Sequence, residues 1–430
     1  MIISLQKGLQ VDDMGKIEDA LNYLIKEKYA EPHDLMYSNK LPFNLTPREY
    51  DQLKDAKRHE LNNGESAFFK LNLKSFNNQS LFYSDKCIEL KSLISMYVKA
   101  VQDDYKENGS LLILRDMPNI LKSRIYSEIE GTLSIESVPT THKRISEIVS
   151  GKRKPADTND FIIKNMAEAI IFVQKLPPFN KENLFRLYSI LSNGCLESDD
   201  QLKPGDFYRY DEVEIDRYAG CPHEKIEECM NSLFSFVNET LLGKSSLTKL
   251  FLPHIAHYYI AYIHPYFDYN GRTARMVSFW IQMLSESYEA PFASEAIDQT
   301  KGKYYAALRN TRDSDNDLTY FLLYLLRITI SFYNCYENIE YIEVELKQKG
   351  VILTENEKAY IKKILISSKG KFIYSDFTKW IKTDMTKQGA FKILNSLAKN
   401  GILLVGEAKS NNKLFEVNKD MLRYKMDLLD

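Results

Sequence analysis

Apolar residues recur at three- and four-residue spacing along most of this chain, which predicts a mainly helical protein. From Asp13 to Lys28 the residues Ile17, Ala20, Leu21, Tyr23, Leu24 and Ile25 supply one apolar face. Loops containing proline follow, with polar runs such as Asn62-Asn-Gly-Glu65. Helical spacing returns from Cys87 to Tyr105. Lys122 to Glu130 predicts a further helix, with Gly131 placed to end it. The segments Asp160–Leu176, Lys181–Asn193, His223–Leu241, Leu247–Ile263, Arg275–Glu286, Lys301–Arg309 and Leu318–Asn334 all carry the same period, so the middle of the chain reads as a helical bundle. One stretch breaks the pattern. Between Gly205 and Tyr218, Val213 and Ile215 alternate with Glu212, Glu214 and Asp216, the period-two signature of a half-covered strand. An exposed strand edge can bind an extended peptide by main-chain pairing.

The last eighty residues change character. Helices are predicted over Thr354–Ile366, Tyr374–Thr383 and Thr386–Asn400, the third ended by Gly401. An apolar strand, Ile402–Val405, a polar turn over Lys409–Lys413 and a short strand, Leu414–Val417, complete the region. Three helices followed by a two-stranded hairpin resemble a winged helix-turn-helix. The third helix buries Ala390, Phe391, Leu394 and Leu397 and turns Lys387, Gln388, Lys392, Asn395 and Lys399 to solvent, as a DNA-reading helix would. DNA is therefore an expected partner through Lys387, Gln388 and Lys392.

Charge supports a separate module there. Residues 351–430 hold 15 Lys+Arg against 9 Asp+Glu, a balance of +6, while the formal net charge of all 430 residues is −2. The remaining 350 residues therefore carry −8, and the body does not advertise nucleic-acid binding. No apolar run is long enough to span a bilayer. The start, Met1-Ile-Ile-Ser-Leu-Gln-Lys-Gly8, turns polar too soon for a secretory signal. The five cysteines (Cys87, Cys195, Cys221, Cys229, Cys335) are odd in number, scattered and without metal-ligand spacing, so reduced thiols in a cytoplasm are expected.

The densest chemistry lies in His264-Pro-Tyr-Phe-Asp-Tyr-Asn-Gly-Arg-Thr-Ala-Arg275. His264 can take a proton near neutral pH. Asp268 is a hard oxygen ligand suited to a magnesium–phosphate complex. Asn270-Gly271 can present backbone N–H groups to an anion at a helix start. Arg272 and Arg275, three apart, share a helix face and can clamp phosphates. His254 and His257, on the apolar helix before the motif, read as structural.

This run resembles the Fic family motif, His-Pro-Phe-x-Asp/Glu-Gly-Asn-Gly-Arg-x-x-Arg, and Leu252–Ile263 resembles the helix leading into it. The resemblance extends over about Lys86 to Asn334. It implies a Fic-type helical bundle with a small β-hairpin flap, followed by the winged helix-turn-helix, giving an N-terminal region at 1–85, a catalytic domain at 86–340 and a C-terminal domain at 350–430. It implies transfer of AMP from ATP, with Mg²⁺, to a Ser, Thr or Tyr hydroxyl of a protein, the chain itself included. A second copy of the chain, in a homodimer, is a further candidate partner, and the sequence leaves the oligomeric state open. His264 would be the general base and Asp268 the magnesium acid. Asn270, Gly271 and Arg272 would form the anion loop, and Arg275 would hold the γ-phosphate. Tyr304 or Tyr305, in a segment similar to the family's Tyr-Tyr-x-x-Leu, would stack on the base. Arg209, Val213 and Ile215 match the spacing of the target-docking flap.

Ser127-Glu-Ile-Glu-Gly131 resembles the family's inhibitory helix, Ser/Thr-x-x-x-Glu-Gly/Asn. It implies that Glu130 pairs with Arg275, keeps ATP from binding productively, and positions a water if the same site removes AMP. The pattern departs at its hydroxyl, since Tyr126 stands four before Glu130. Tyr266 replaces Phe in the main motif, and Tyr269 stands where Gly is usual. A bulky residue is poorly tolerated at positive φ, so Tyr269 opens a second reading, transfer of another nucleotide or phosphate-linked group. A third reading, from the C-terminal region, is a DNA-binding regulator that uses the Fic-like body as a nucleotide sensor.

Overall fold

The computed structural model describes residues 11–61, 66–108, 119–243, 246–285, 294–368, 370–381, 385–409, 412–424 and 426. Positions 62–65, 286, 383 and 410–411, on which some of the expectations above fall, lie outside these. The described chain is mainly helical, with three two-stranded hairpins.

The N-terminal part holds α1 (Val11–Lys26), α2 (Pro32–Tyr37), α3 (Pro47–Glu60) and the antiparallel hairpin of β1 (Phe69–Lys74) and β2 (Ser80–Tyr83). Thr46 starts α3 with a reciprocal capping box to Glu49. The hairpin was not foreseen, because Phe68, Leu71 and Leu73 are separated by lysine and asparagine in a region whose loops dominate the pattern. These elements share one hydrophobic core with residues up to Tyr333. A buried ion pair ties them to the body: Lys57 Nζ lies 2.9 Å from Asp317, and the Tyr29 hydroxyl donates to the same carboxylate at 2.5 Å.

The body runs through α4 (Ile88–Asn108), α5 (Asn119–Ile135), α6 (His142–Val149), α7 (Thr158–Val173) and α8 (Lys181–Ser192). A short hairpin, β3 (Glu214–Ile215) with β4 (Tyr218–Ala219), follows. Next come α9 (Ile226–Leu242), α10 (Ser246–Ile263), α11 (Asn270–Leu284), α12 (Ser294–Gln299), α13 (Lys301–Asp313) and α14 (Thr319–Gln348). The centre is α10 against α11. From Phe251 to Ile263 all but Ala261 are buried, as expected of a helix that is apolar all round.

Two of the boundaries that differ from expectation have clear reasons. Gly131 does not end α5, which continues to Ile135. A Cβ at Gly131 would stand 2.5 Å from the Glu295 backbone nitrogen, so the glycine is there for close packing against α12. The expected helix over Leu318–Asn334 runs on to Gln348 as part of α14. Cys335, Ile339, Ile342 and Leu346 keep its apolar stripe going and pack into a second core.

That second core belongs to the C-terminal region: α15 (Glu355–Ser367), α16 (Tyr374–Ile381), α17 (Lys387–Lys399) and the hairpin of β5 (Leu403–Lys409) with β6 (Asn412–Val417). On α17, Ala390, Leu394 and Leu397 are buried, while Lys387, Gln388, Lys392, Asn395 and Lys399 are exposed. No helix among the described residues is long and apolar enough to cross a membrane.

Candidate functional site

Helix α10 ends at Ile263 because the next residue, His264, turns left-handed at φ 57° and is followed by Pro265. The His264 Nδ1 faces the Ala261 carbonyl at 3.3 Å. A carbonyl only accepts, so Nδ1 carries the proton and Nε2 is left as an acceptor. Burial pushes the imidazole down to about 4, which keeps it neutral at pH 7.

The next four residues form a tight loop. Asn270 is buried and its side chain clasps Tyr266, accepting from the Tyr266 N–H at 3.0 Å and donating to its carbonyl at 2.8 Å. The Asn270 side chain is thus committed to shaping the loop, and only its backbone remains for an anion. Tyr269, where glycine was expected to be needed, adopts that left-handed geometry nonetheless, at φ 65° and ψ 7°. Such a conformation costs about 1–2 kcal/mol for a residue with a Cβ. The site offsets the cost: Tyr269 is buried, and the Arg272 guanidinium stacks 3.4 Å over its ring. Tyr269 is not among the residues that line the cavity beside this loop.

Tyr269 is the N-cap of α11, and the amides of Asn270, Gly271 and Arg272 open the helix without intrahelical partners. They make a positive helix terminus. A cavity of about 200 Å³ adjoins it, lined among others by His264, Gly271, Arg275, Glu136, Ile215 and Tyr305. Tyr304 is buried, with its hydroxyl 2.9 Å from His257 Nε2, whereas the half-buried Tyr305 has the more accessible ring. His254 and His257 are buried on α10, as expected of structural histidines.

Arg275 does not meet Glu130. Its Nη2 donates to Glu136 Oε1 at 2.6 Å and its Nε to the Thr132 hydroxyl at 2.7 Å. Glu130, further back on α5, is partly buried and lies 3.6 Å from His142. The pairing expected for Glu130 therefore belongs to Glu136. The sequence held the signal: Thr132-Leu-Ser-Ile-Glu136 puts the hydroxyl four residues before the glutamate, the spacing that Tyr126 and Glu130 lack. Ser137 obscured it by standing where Gly or Asn is usual, yet it takes the left-handed conformation that position demands, at φ 61°. Burial opposes the Glu136 charge, but Arg275, with Arg272 and Lys301, outweighs it and holds the carboxyl below its usual range. The carboxylate also sits against the start of α11, since a Cβ on Gly271 would stand 2.6 Å from Glu136 Oε1. Glu136 thus fills the place that the helix terminus and Arg275 prepare for an anion.

Asp268 is exposed. Its Oδ1 accepts the Tyr269 N–H at 2.5 Å, and Oδ2 lies 3.5 Å from Arg272. A single accessible carboxylate beside a phosphate site suits Mg²⁺, which takes few protein ligands and completes its shell with phosphates and water. Glu212, His223 and Glu224 cluster on the exposed surface near the hairpin and do not include Asp268.

The hairpin corrects one expectation. Arg209 is buried and cannot dock a partner. Its guanidinium bonds the carbonyls of His264 at 2.8 Å, Asp211 at 2.5 Å and Cys221, bracing the hairpin base to the loop that follows α10. The Val213 carbonyl accepts the Gly220 N–H at 2.8 Å, and Ile215 reaches the cavity. Tyr218 and Arg217 bond Asp313 on α13, each at 2.7 Å, which seats the hairpin beside the site.

A neutral imidazole, a buried arginine paired with Glu136 and a helix N-terminus thus border one cavity. Residues 178–282 match the model of the Fic/DOC family. Similar solved structures include a Fic family protein from Desulfovibrio desulfuricans, at 17% identity and TM-score 0.47, covering 77% of this chain and 96% of that one. Fic-1 from C. elegans, at 17% and 0.43, covers 61% and 73%. A Fic domain containing signaling protein from Bacteroides thetaiotaomicron, at 16% and 0.38, covers 56% and 92%.

Proposed function

We propose that this protein transfers AMP from ATP to a hydroxyl side chain of a protein, the chain itself included, and that Glu136 holds the site inactive. The observation that carries this reading is the shared cavity. His264, with its lone pair on Nε2, lines the same space as Arg275 and the start of α11, and Glu136 occupies the anion position between them. In the reaction, the target hydroxyl oxygen attacks the α-phosphorus as its proton passes to His264 Nε2. The bond from the α-phosphorus to the bridging oxygen breaks and pyrophosphate leaves. The free amides at the start of α11 stabilise charge on the transferring phosphoryl, and Arg275 binds the terminal phosphate once Glu136 withdraws. Arg272 supplies positive potential from its stack on Tyr269. Mg²⁺, with Asp268 as its protein ligand, would neutralise phosphate charge. Tyr305 offers its ring to the base, and the hairpin with Ile215 at its edge is the proposed target-docking element. The exposed Lys387, Gln388 and Lys392 face of α17 supports duplex DNA as a partner of a C-terminal winged helix.

The test is His264→Ala. Loss of a general base removes about two to four orders of magnitude in rate. Transfer should fall by that amount while nucleotide affinity stays within a few-fold, because His264 acts on the hydroxyl and not on the phosphates. Wild-type transfer in this variant would remove His264 from the mechanism.

A further inference from the structure

The C-terminal module reaches the inhibitory helix through a short, continuous set of contacts. On α15, Lys362 Nζ lies 2.5 Å from Glu295 Oε2 and Lys363 Nζ lies 3.1 Å from Oε1. Ser367, at the end of α15, donates to Gln299 at 2.8 Å. Both Glu295 and Gln299 belong to α12, and Glu295 is only 7% exposed, so its charge depends on the two lysines. The other side of α12 lies along α5. Gly131 admits the α12 backbone where any side chain would collide with it. Glu128 accepts from the Ser294 N–H at 3.0 Å and from the Ser294 hydroxyl. At its far end α5 holds Thr132 and Glu136 on Arg275, and the Ile135 carbonyl accepts from Lys301.

We infer that the C-terminal module controls the lock on the active site: α15 holds α12 through Glu295, α12 holds α5, and α5 holds Glu136 over the anion position. This rests on the inhibitory role proposed for Glu136. The transmission has a physical cause. Take away the two lysines and Glu295 is left as a buried carboxylate with no counter-charge, which favours its exposure to water. Glu295 gains water when α12 shifts outward, and α12 is tied to α5 by the hydrogen bonds of Ser294 to Glu128 beside the close backbone contact at Gly131. A ligand that draws α15 off α12 would act in the same way, by shifting the population of locked chains.

The test uses the full chain with Lys362→Met and Lys363→Met together, and Glu295→Gln as a second variant. Hydrogen exchange at the amides of α5 and α7 is measured without ligand, alongside nucleotide transfer with ATP and Mg²⁺. Exchange in α5 should quicken at least tenfold while α7 stays within twofold of wild type. Transfer should rise toward that of Glu136→Ala, and adding the lysine changes to Glu136→Ala should give no further rise. Unchanged exchange in α5 overturns the coupling, whatever the transfer assay reads. If Glu136→Ala itself transfers nothing, the reading of the site as a nucleotide transferase fails, and α5 exchange alone decides the coupling. If α7 exchange also rises in the lysine variant, Glu295→Gln, which breaks the same ion pairs and leaves the largely buried Lys362 without its counter-charge, decides on the same criterion.

Discussion

Replacing Glu136 with alanine should do two opposite things at once. Alanine avoids the added unfolded-state freedom that glycine would bring. The lost carboxylate is 2.6 Å from Arg275 and 27% exposed, while Arg275 is only 4% exposed. Breaking a fully buried pair costs about 3–5 kcal/mol because the remaining charge is left uncompensated. Partial exposure of Glu136 brings the expected loss to roughly 2 kcal/mol, seen as a lower denaturation midpoint. The same interaction is what a triphosphate must displace, so removing it should tighten nucleotide binding by about 30-fold, at about 1.4 kcal/mol per tenfold. Calorimetric titration of wild type and Glu136→Ala with ATP and Mg²⁺ measures this. Adding Arg275→Ala should cancel the gain, since the freed arginine is its source. Glu130→Ala, which leaves Glu136 in place, should bind within twofold of wild type. Equal ATP affinity for wild type and Glu136→Ala would refute the account of how the site is blocked.

Burial holds the His264 imidazole near 4, so the group is already deprotonated at neutral pH, and the rate should be flat between about pH 6 and 8 and fall only toward pH 4; an inflection near 6.5 in the rate profile would contradict a desolvated His264. His254 and His257 are likewise lowered by burial. A group whose pKa is depressed in the folded state gives stability that is present above its unfolded pKa and lost on acidification, so melting temperatures should drop as pH falls from about 6.5 to 4. If α17 meets DNA, duplex binding by the full chain should weaken steeply with salt and with Lys387→Ala plus Lys392→Ala; a shift that ignores both salt and these changes would leave DNA without a role at that face.

The helical period placed most elements within a few residues, because α7 to α11 are long and their apolar stripes are regular. It misplaced the ends where packing overrode local signals. Gly131 reads as a stop in isolation, and only the approach of Glu295 explains why it is interior. The run from His264 to Arg275 was legible because its chemically distinct residues are adjacent in sequence and converge at one helix junction. The glutamate that pairs with Arg275 was not, since Ser137 hides a backbone requirement that only φ reveals. Arg209 was recognised by spacing but assigned the wrong role, because spacing carries no information about burial, and three backbone carbonyls hold its guanidinium inside. The link from Lys362 and Lys363 to Glu295 joins segments nearly seventy residues apart and leaves no local trace in the sequence.

The central claim is that the α-phosphoryl of ATP, with its nucleoside, passes to protein. It is tested most directly by incubating Glu136→Ala, alone and with candidate acceptor proteins, with ATP labelled on the α- or the γ-phosphate in the presence of Mg²⁺. The account predicts α-label covalently on protein, γ-label released as pyrophosphate, and neither retained when His264→Ala is added. Retention of γ-label on protein, or α-label transfer that survives His264→Ala, would contradict it.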